Sequence, residues 1–582
     1  MSESNQIDRR RFLESGLLVA GAACGYGARA QGQTPPPARG QAATLIIRNA
    51  VVHTIDPRAP RATAVAVRGD RILQVGEWSA LQHLADARTP VVDAGGQTVV
   101  PGFVDVHNHA VGEVLAYEVV VGNPFDAEFV TIQSILDRLK ARAAQTPPGR
   151  WVEGFFYDDT KLKDRRPLSR ADLDTVSTLH PVKVNHRGGH THVVNSVALR
   201  LAGITRETPN PFGGTYGRDA NGELDGSVTD LAAEPFATVG QRPTFTAAER
   251  AARARGGAAR ISREFARFGL TSVHHDGLRH LDGDALDAIH AIHADGTLLH
   301  RVRYEPSMAH LEQLIAKGIR TGDGDDWIRI GAVSEQLSDG SFSERTLARR
   351  DPYPGSTPPY YGNLTSTQEK LDALALRLFE HRIQPNFHAN GDVAIDMVLT
   401  AFERAAATIP DATRRRPKIT HCTMLTPELV ARIKAVGAVP NLFATYAYYN
   451  ADKFGFYGPA MMDRAMAYRW LVDAGVPVTA GTDFPPGPIA PMMGLQGMVT
   501  RRGWNGEVWG AGQAITAAEG LKVWTLNGAH AAFEEDVRGS ITEGKLADLV
   551  FLDRDPLSAD PQTIKDITVT RTIVGGRTVH QA

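Results

Sequence analysis

The first stretches of patterned sequence are short. Residues 43–52, 64–67 and 71–76 are β-branched or alternate apolar with polar positions, and Gly, Pro and Asp interrupt them, which predicts small antiparallel strands. The C-terminus has the same texture at 545–552 and 569–579, with Gly575-Gly576 as a turn, so 43–97 and 540–582 are expected to form one composite β-sandwich. Between them the rhythm changes. Eight apolar runs occur at 98–106, 271–275, 301–305, 327–333, 383–388, 418–422, 437–444 and 476–481. Most are followed by segments of helical period, such as 368–381, 393–407, 427–436 and 463–474. Repeated βα units predict an α/β fold, a (β/α)8 TIM-like barrel over 98–539. Residues 111–260 do not fit that count. They read as an insertion after the first strand, with its own strand at 182–186, and such insertions commonly cover active sites.

Composition narrows the function classes. The 582 residues suit several units or one elaborated barrel, and 42% hydrophobic with 22% charged residues excludes a disordered chain and a multispan membrane protein. Lys plus Arg is 63 against Asp plus Glu 65, a net charge of −2, so no basic excess exists to attract nucleic acid. Two cysteines exclude a disulfide framework. Metal and acid/base chemistry must then draw on the carboxylates and the 20 His residues.

The N-terminus reads as an address. Asp8-Arg9-Arg10-Arg11-Phe12-Leu13 precedes a short apolar run from Gly16 to Ala23 and then Ala28-Arg29-Ala30, a small-x-small cleavage pattern. Residues 1–30 resemble a twin-arginine signal, which implies periplasmic or secreted localisation, with 31–42 as a linker. The apolar run is far below the roughly 20 residues of a spanning helix, so no stable membrane anchor is expected. Lipidation of Cys24 is left open, although Gly21 stands where Leu or Val is expected.

The chemistry gathers at strand ends. His107 and His109 are two apart at the end of the first barrel strand, so both project to one side and can bind one ion. His-x-His alone is weak evidence. However, His388 ends the fifth strand, His421 the sixth and Asp483 follows the eighth, and the carboxyl ends of barrel strands converge on one mouth. Four His and one Asp in this register point to a divalent metal centre.

Longer motifs carry a family resemblance. They are 101–109, 192–199, Asp339-Gly340-Ser341, 388–392, 481–485, 544–549 and 572–577. Over 43–579 the chain resembles the amidohydrolase superfamily and, within it, the YtcJ-like branch (amidohydrolase family 3) that includes N-substituted formamide deformylase. The resemblance implies a metal-dependent hydrolase and says little about substrate. In many relatives a Lys four residues before Asp-Gly-Ser can be carboxylated to bridge two metals; here that position is Glu335. Glu335 could bridge directly, with His107, His109 and Asp483 on one ion and His388 and His421 on the other. A salt-bridged Glu335 leaves a mononuclear site of His107, His109, His388 and Asp483.

Imidazole and carboxylate ligands suit zinc, with Mn, Co or Ni as alternatives, in one or two ions. Such an ion lowers the pKa of water to about 7 and polarises a carbonyl. Asp483 is the expected catalytic residue, accepting the proton and passing it to a leaving amine. Asp392 is expected either to orient His388 from behind or to cap its helix. His190, after the Gly188-Gly189 pair, is expected to contact substrate or to make a structural hydrogen bond. Of His274 and His275 at most one faces the mouth, and His275 is taken as the substrate contact. Tyr446, with Tyr448 and Tyr449, is expected to form an aromatic wall, and Cys422 to point away from the metals. No nucleophile elbow, phosphate loop or dinucleotide fingerprint occurs.

The leading expectation is an exported hydrolase of an N-acyl or N-formyl amine, acting on a small molecule, with a homodimer left open. The alternatives are a deaminase or cyclic-amide hydrolase on the same centre, and a non-catalytic periplasmic metal- or ligand-binding protein.

Overall fold

A computed structural model describes residues 42–277 and 284–582. The signal expected at 1–30 and nearly all of the 31–42 linker lie outside the described residues. Among the described residues no helix is long and apolar enough to cross a membrane.

The two chain ends share a six-stranded sheet. Its order is Arg577–Gln581, Val569–Val574, Leu549–Leu552, Thr98–Pro101, Val51–His53 and Arg61–Ala62. Leu549–Leu552 runs antiparallel to Thr98–Pro101, with Val550 opposite Val100. A four-stranded sheet of Arg71–Gly76, Ala64–Arg68, Leu45–Arg48 and Val91–Asp93 packs nearby. Ile47, Val65 and Val67 from this sheet share one buried cluster with Val99, Leu549 and Ile573 from the other. β-branched side chains fill the pleated faces, and their burial holds the ends of the chain together.

Two parallel sheets form the centre. One is ordered Ile328–Ile330, Arg301–Glu305, Leu270–Asp276 and Phe103–Asn108. The other is ordered Gln336–Leu337, Asn386–Ala389, Lys418–His421, Val439–Phe443 and Thr479–Gly481. Every residue of Leu270–Asp276 and of Phe103–Asn108 is buried, as parallel strands covered on both faces require. The sheets meet at both edges: Asp483 N–H donates to His107 O at 3.0 Å and His109 N–H to Phe484 O at 3.1 Å, while Val333 N–H donates to Gln384 O at 3.2 Å.

Local chemistry sets the helices around them. Thr367 accepts the Lys370 N–H at the start of Gln368–Glu380, and Thr426 accepts Leu429 N–H at the start of Pro427–Val436, which stops at Gly437 with φ 66°. Of the helix expected over 463–474 only Tyr468–Asp473 forms, and a separate short helix, Pro459–Met462, precedes the range. Met466 lies between them at φ 49°, and its N–H donates to Thr423 O rather than along a helix. The strand expected at 327–333 shortens to Ile328–Ile330.

The stretch expected as an insertion builds a six-stranded sheet of its own: Gly214–Arg218, Leu224–Asp230, Thr191–Val194, Val182–His186, Val152–Tyr157 and Val119–Val120. Val121, Leu139, Val152 and Val184 give it a separate core. Arg187 anchors it to the central sheets. Its Nε and Nη2 donate to Pro485 O at 2.9 and 2.7 Å, its Nη1 donates to the Tyr449 hydroxyl, and its guanidinium lies 4.5 Å from the Tyr449 ring centre.

Candidate metal centre

His107 and His109 project together from the end of Phe103–Asn108, with ring centroids 4.8 Å apart. Their Nε2 atoms lie 3.2 and 3.0 Å from the same oxygen, Asp483 Oδ1. Buried Asp105 locks the two strand ends that make this meeting possible. Its carboxylate accepts Thr482 N–H at 3.0 Å, the Thr482 hydroxyl at 2.6 Å and Asn108 Nδ2 at 3.0 Å.

Glu335 faces two groups. Its Oε1 lies 3.7 Å from His107 Nε2 and 3.9 Å from His109 Nε2, and its Oε2 lies 3.7 Å from His421 Nε2. His388 and His421 meet edge to face with ring centroids 4.1 Å apart. The donor atoms thus fall into two sets that could each hold an ion, His107, His109 and Asp483, and Glu335, His388 and His421; within each set they lie within 4.8 Å of one another.

The surroundings fit divalent cations. His107 Nε2 and Glu335 Oε2, which face the centre, are buried with no hydrogen-bond partner among the described residues. Each unsatisfied buried polar group costs about 1–3 kcal/mol, so this arrangement calls for compensation. Burial by itself would push the His107 imidazole down, yet the carboxylates of Glu335, Asp483 and Asp276 raise it to about 10. Burial pushes Asp483 up, but hydrogen bonds from His107 and His109 leave it lowered. Burial and the surrounding imidazoles hold His421 far below its ordinary value, in the neutral form that binds metal. A negative, imidazole-rich interior is the donor set zinc takes.

The insertion reaches this centre. His190 Nδ1 lies 2.7 Å from Asp230 Oδ1, and its ring centroid is 5.3 Å from that of His388. Burial opposes protonation of His190, but Asp230 raises it to about 9. Buried Glu344 accepts the His190 N–H at 3.2 Å, and Glu344 Oε1 comes so near Gly188 that a Cβ there would sit 1.9 Å from it. Gly188 is therefore needed for this approach. Tyr446 is buried edge-on to Phe443 at 4.9 Å, and Phe443 in turn stacks on His107 at 5.9 Å. Tyr448 lies under Lys565, away from that wall.

His275 Nε2 lies 3.0 Å from His300 Nε2 and the rings stack, while His275 also lines a small cavity with His109 and Asp276. The strand's inward face carries His274 and Asp276: His274 Nδ1 meets Glu305 at 3.0 Å, and Asp276 lies beside His107 and His109. Asp392 starts the helix Asp392–Ala406, accepts Arg350 N–H at 3.1 Å and pairs with Arg464 at 3.3 Å, which turns it from His388. Asp339 takes that place. Its Oδ1 is 3.4 Å from His388 Nδ1, and it accepts the N–H groups of Asn390 and Gly391 at 2.9 and 2.8 Å. Cys422 is a free thiol in the apolar core, its pKa pushed up by burial. Asp105 and Asp339 lay within motifs visible in the sequence; Asp276 and Glu344 carried no such signal.

A model of the amidohydrolase family matches residues 90–580. The chain is 29% identical over 561 residues to N-substituted formamide deformylase of Arthrobacter pascens, covering 91% of this chain and 97% of that one. It is 26% identical over 551 residues to YtcJ of Bacillus subtilis (strain 168), covering 91% and 98%. The fold is like that of an uncharacterized metal-dependent hydrolase from Pyrococcus horikoshii OT3, with TM-score 0.67, 20% identity and coverage of 89% of this chain and 99% of that chain. The matched span holds both ligand sets and both edges of the central sheets, and the chain belongs to the amidohydrolase family, as a hydrolase acting on carbon–nitrogen bonds.

Proposed function

We propose that this chain is an exported metal-dependent amidohydrolase that cleaves the amide-type C–N bond of an N-acyl or N-formyl amine. The observation that carries the reading is one carboxylate, Glu335, facing His107 and His109 with one oxygen and His421 with the other. We read the two parallel sheets as one (β/α)8 TIM-like barrel, the two terminal sheets as a composite sandwich, and the inserted sheet as a lid over the mouth.

His107, His109 and Asp483 would hold one divalent ion, and His388 and His421 a second, with Glu335 between them. When bound, such ions, zinc foremost, polarise a carbonyl and make water acidic enough to ionise near neutral pH. Asp483 accepts the water's proton and delivers it to the departing nitrogen. His190, fixed by Asp230, reaches in from the lid to hold the substrate. Tyr446 backs the wall behind His107 and His421 through Phe443. The N-formyl preference rests on similarity to a protein named for deformylating N-substituted formamides.

The test is a panel of N-formyl amines, N-acyl amines and carbamates, assayed for amine release with zinc-loaded protein. Release from none of them by protein that holds its metal would refute the substrate class. Export rests on the Arg9-Arg10-Arg11 leader, and a Lys replacement of the three should retain the protein in the cytoplasm.

A further inference from the structure

Asp276 ends the strand Leu270–Asp276 and is buried; its carboxylate could itself join His107 and Glu305 around an ion, but it lies outside the two sets that meet at Glu335. It nevertheless touches three of the six residues in those sets. Its Oδ2 accepts the Glu335 N–H at 2.9 Å and lies 3.9 Å from His107 Nδ1. Its Oδ1 accepts the Ser334 hydroxyl at 2.6 Å and lies 3.8 Å from His109 Nδ1.

The orientation of the rings is consistent. Both imidazoles turn Nε2 toward Asp483 and Glu335 and Nδ1 toward Asp276. A carboxylate offers about four lone-pair sites, two per oxygen. Ser334 and Glu335 occupy one on each oxygen, which leaves one on each for a ring N–H. Both Nδ1 atoms are buried and make no hydrogen bond among the described residues, and the Asp276 oxygens, at 3.9 and 3.8 Å, are the carboxylate oxygens they face. A histidine that ligates metal through one nitrogen keeps its proton on the other, and a carboxylate facing that proton fixes the tautomer and strengthens the ligand.

We infer that Asp276 is the positioning residue of the metal centre, one carboxylate that sets the tautomer of His107 and His109 together and tethers the backbone of the bridging Glu335. This rests on the reading of these residues as metal ligands.

Competition with a chromogenic chelator on the zinc-loaded full chain measures the effect. Asp276→Asn keeps the shape and removes the charge, and it should weaken zinc binding about 10- to 100-fold. Ser334→Ala, which removes one side-chain hydrogen bond to Asp276 and alters no proposed ligand side chain, should weaken it in the same direction by less. In cobalt-loaded protein, the exchangeable, metal-shifted Nδ1–H signals of His107 and His109 should be present in the wild type and move or vanish in Asp276→Asn. A merely structural role would lower the unfolding midpoint and leave those signals in place, which overturns the inference. Zinc affinity unchanged in Asp276→Asn overturns it as well. A wild-type chain that takes up no divalent ion overturns the metal centre itself, an outcome distinct from wild-type uptake with an unaffected variant.

Discussion

Glu335 Oε2 lies 3.7 Å from His421 Nε2 while Glu335 Oε1 lies at the same distance from His107 Nε2, so a single carboxylate looks onto both ligand sets. Removing it should cost an ion. Metal analysis of Glu335→Ala should find one equivalent fewer than in the wild type; two equivalents retained would exclude bridging.

In the proposed mechanism Asp483 combines a ligand position with the proton transfer. Asp483→Asn should lower kcat by about 10²- to 10⁴-fold on any substrate the panel identifies, the usual range for a general acid/base. Steady-state rates check this, and undiminished turnover would sink the proposed mechanism.

In the proposed function His190 binds substrate and not metal. His190→Ala should reduce kcat/KM by about 10-fold or more, as expected for losing a hydrogen bond of about 1.5–3 kcal/mol to a charged group, with metal content unchanged. A variant that loses metal along with activity would move His190 into the ligand set.

His186 gives the insertion a pH dependence. Its Nδ1 lies 3.4 Å from Glu344 and its Nε2 3.4 Å from Asp159. Burial opposes its charging, but Glu344, Asp158 and Asp159 raise it from 6.5 to about 10. A raised histidine contributes stability that is complete below about pH 6.5 and is lost as pH climbs through about 10. Urea unfolding at pH 6.5, 8 and 9.5 should show this decline, and His186→Gln should flatten it. Parallel curves for the two proteins would contradict the assignment.

Asp105 ties Thr482 and Asn108 together beneath the centre. Asp105→Ala leaves the Thr482 N–H and hydroxyl without this acceptor, at about 1–3 kcal/mol each, while Asn108 Nδ2 keeps its bond to Thr482 Oγ1, so a loss of about 2 kcal/mol or more is expected. Denaturant midpoints measure it. A change below 1 kcal/mol would mean that water or a shifted side chain replaces the carboxylate.

Much of the site was legible because strand geometry is periodic. The spacing of His107 and His109 is enough to place both on one side of a strand, and His388, His421 and Asp483 each follow an apolar run where a barrel opens its mouth. The choice between His274 and His275 was not legible, since a one-residue register decision exchanges the two faces, and with His274 comes Asp276. Asp392 and Asp339 show the same limit. Asp392 is near His388 in the chain but is turned off by its helix, whereas Asp339, forty-nine positions earlier by numbering, comes within 3.4 Å of the ring.

By itself the sequence determined the local elements, the pairing of texture at its two ends and the residue types able to hold a metal, because backbone geometry and side-chain chemistry act over a few neighbouring positions. Tertiary structure alone decided that His190, held by Asp230, comes beside His388 from a separate sheet, that Glu344 packs against Gly188, and that Asp276 stands behind both histidines. These contacts join segments far apart in the chain. Their formation depends on which buried faces pack together, a property of the whole core and not of any one stretch.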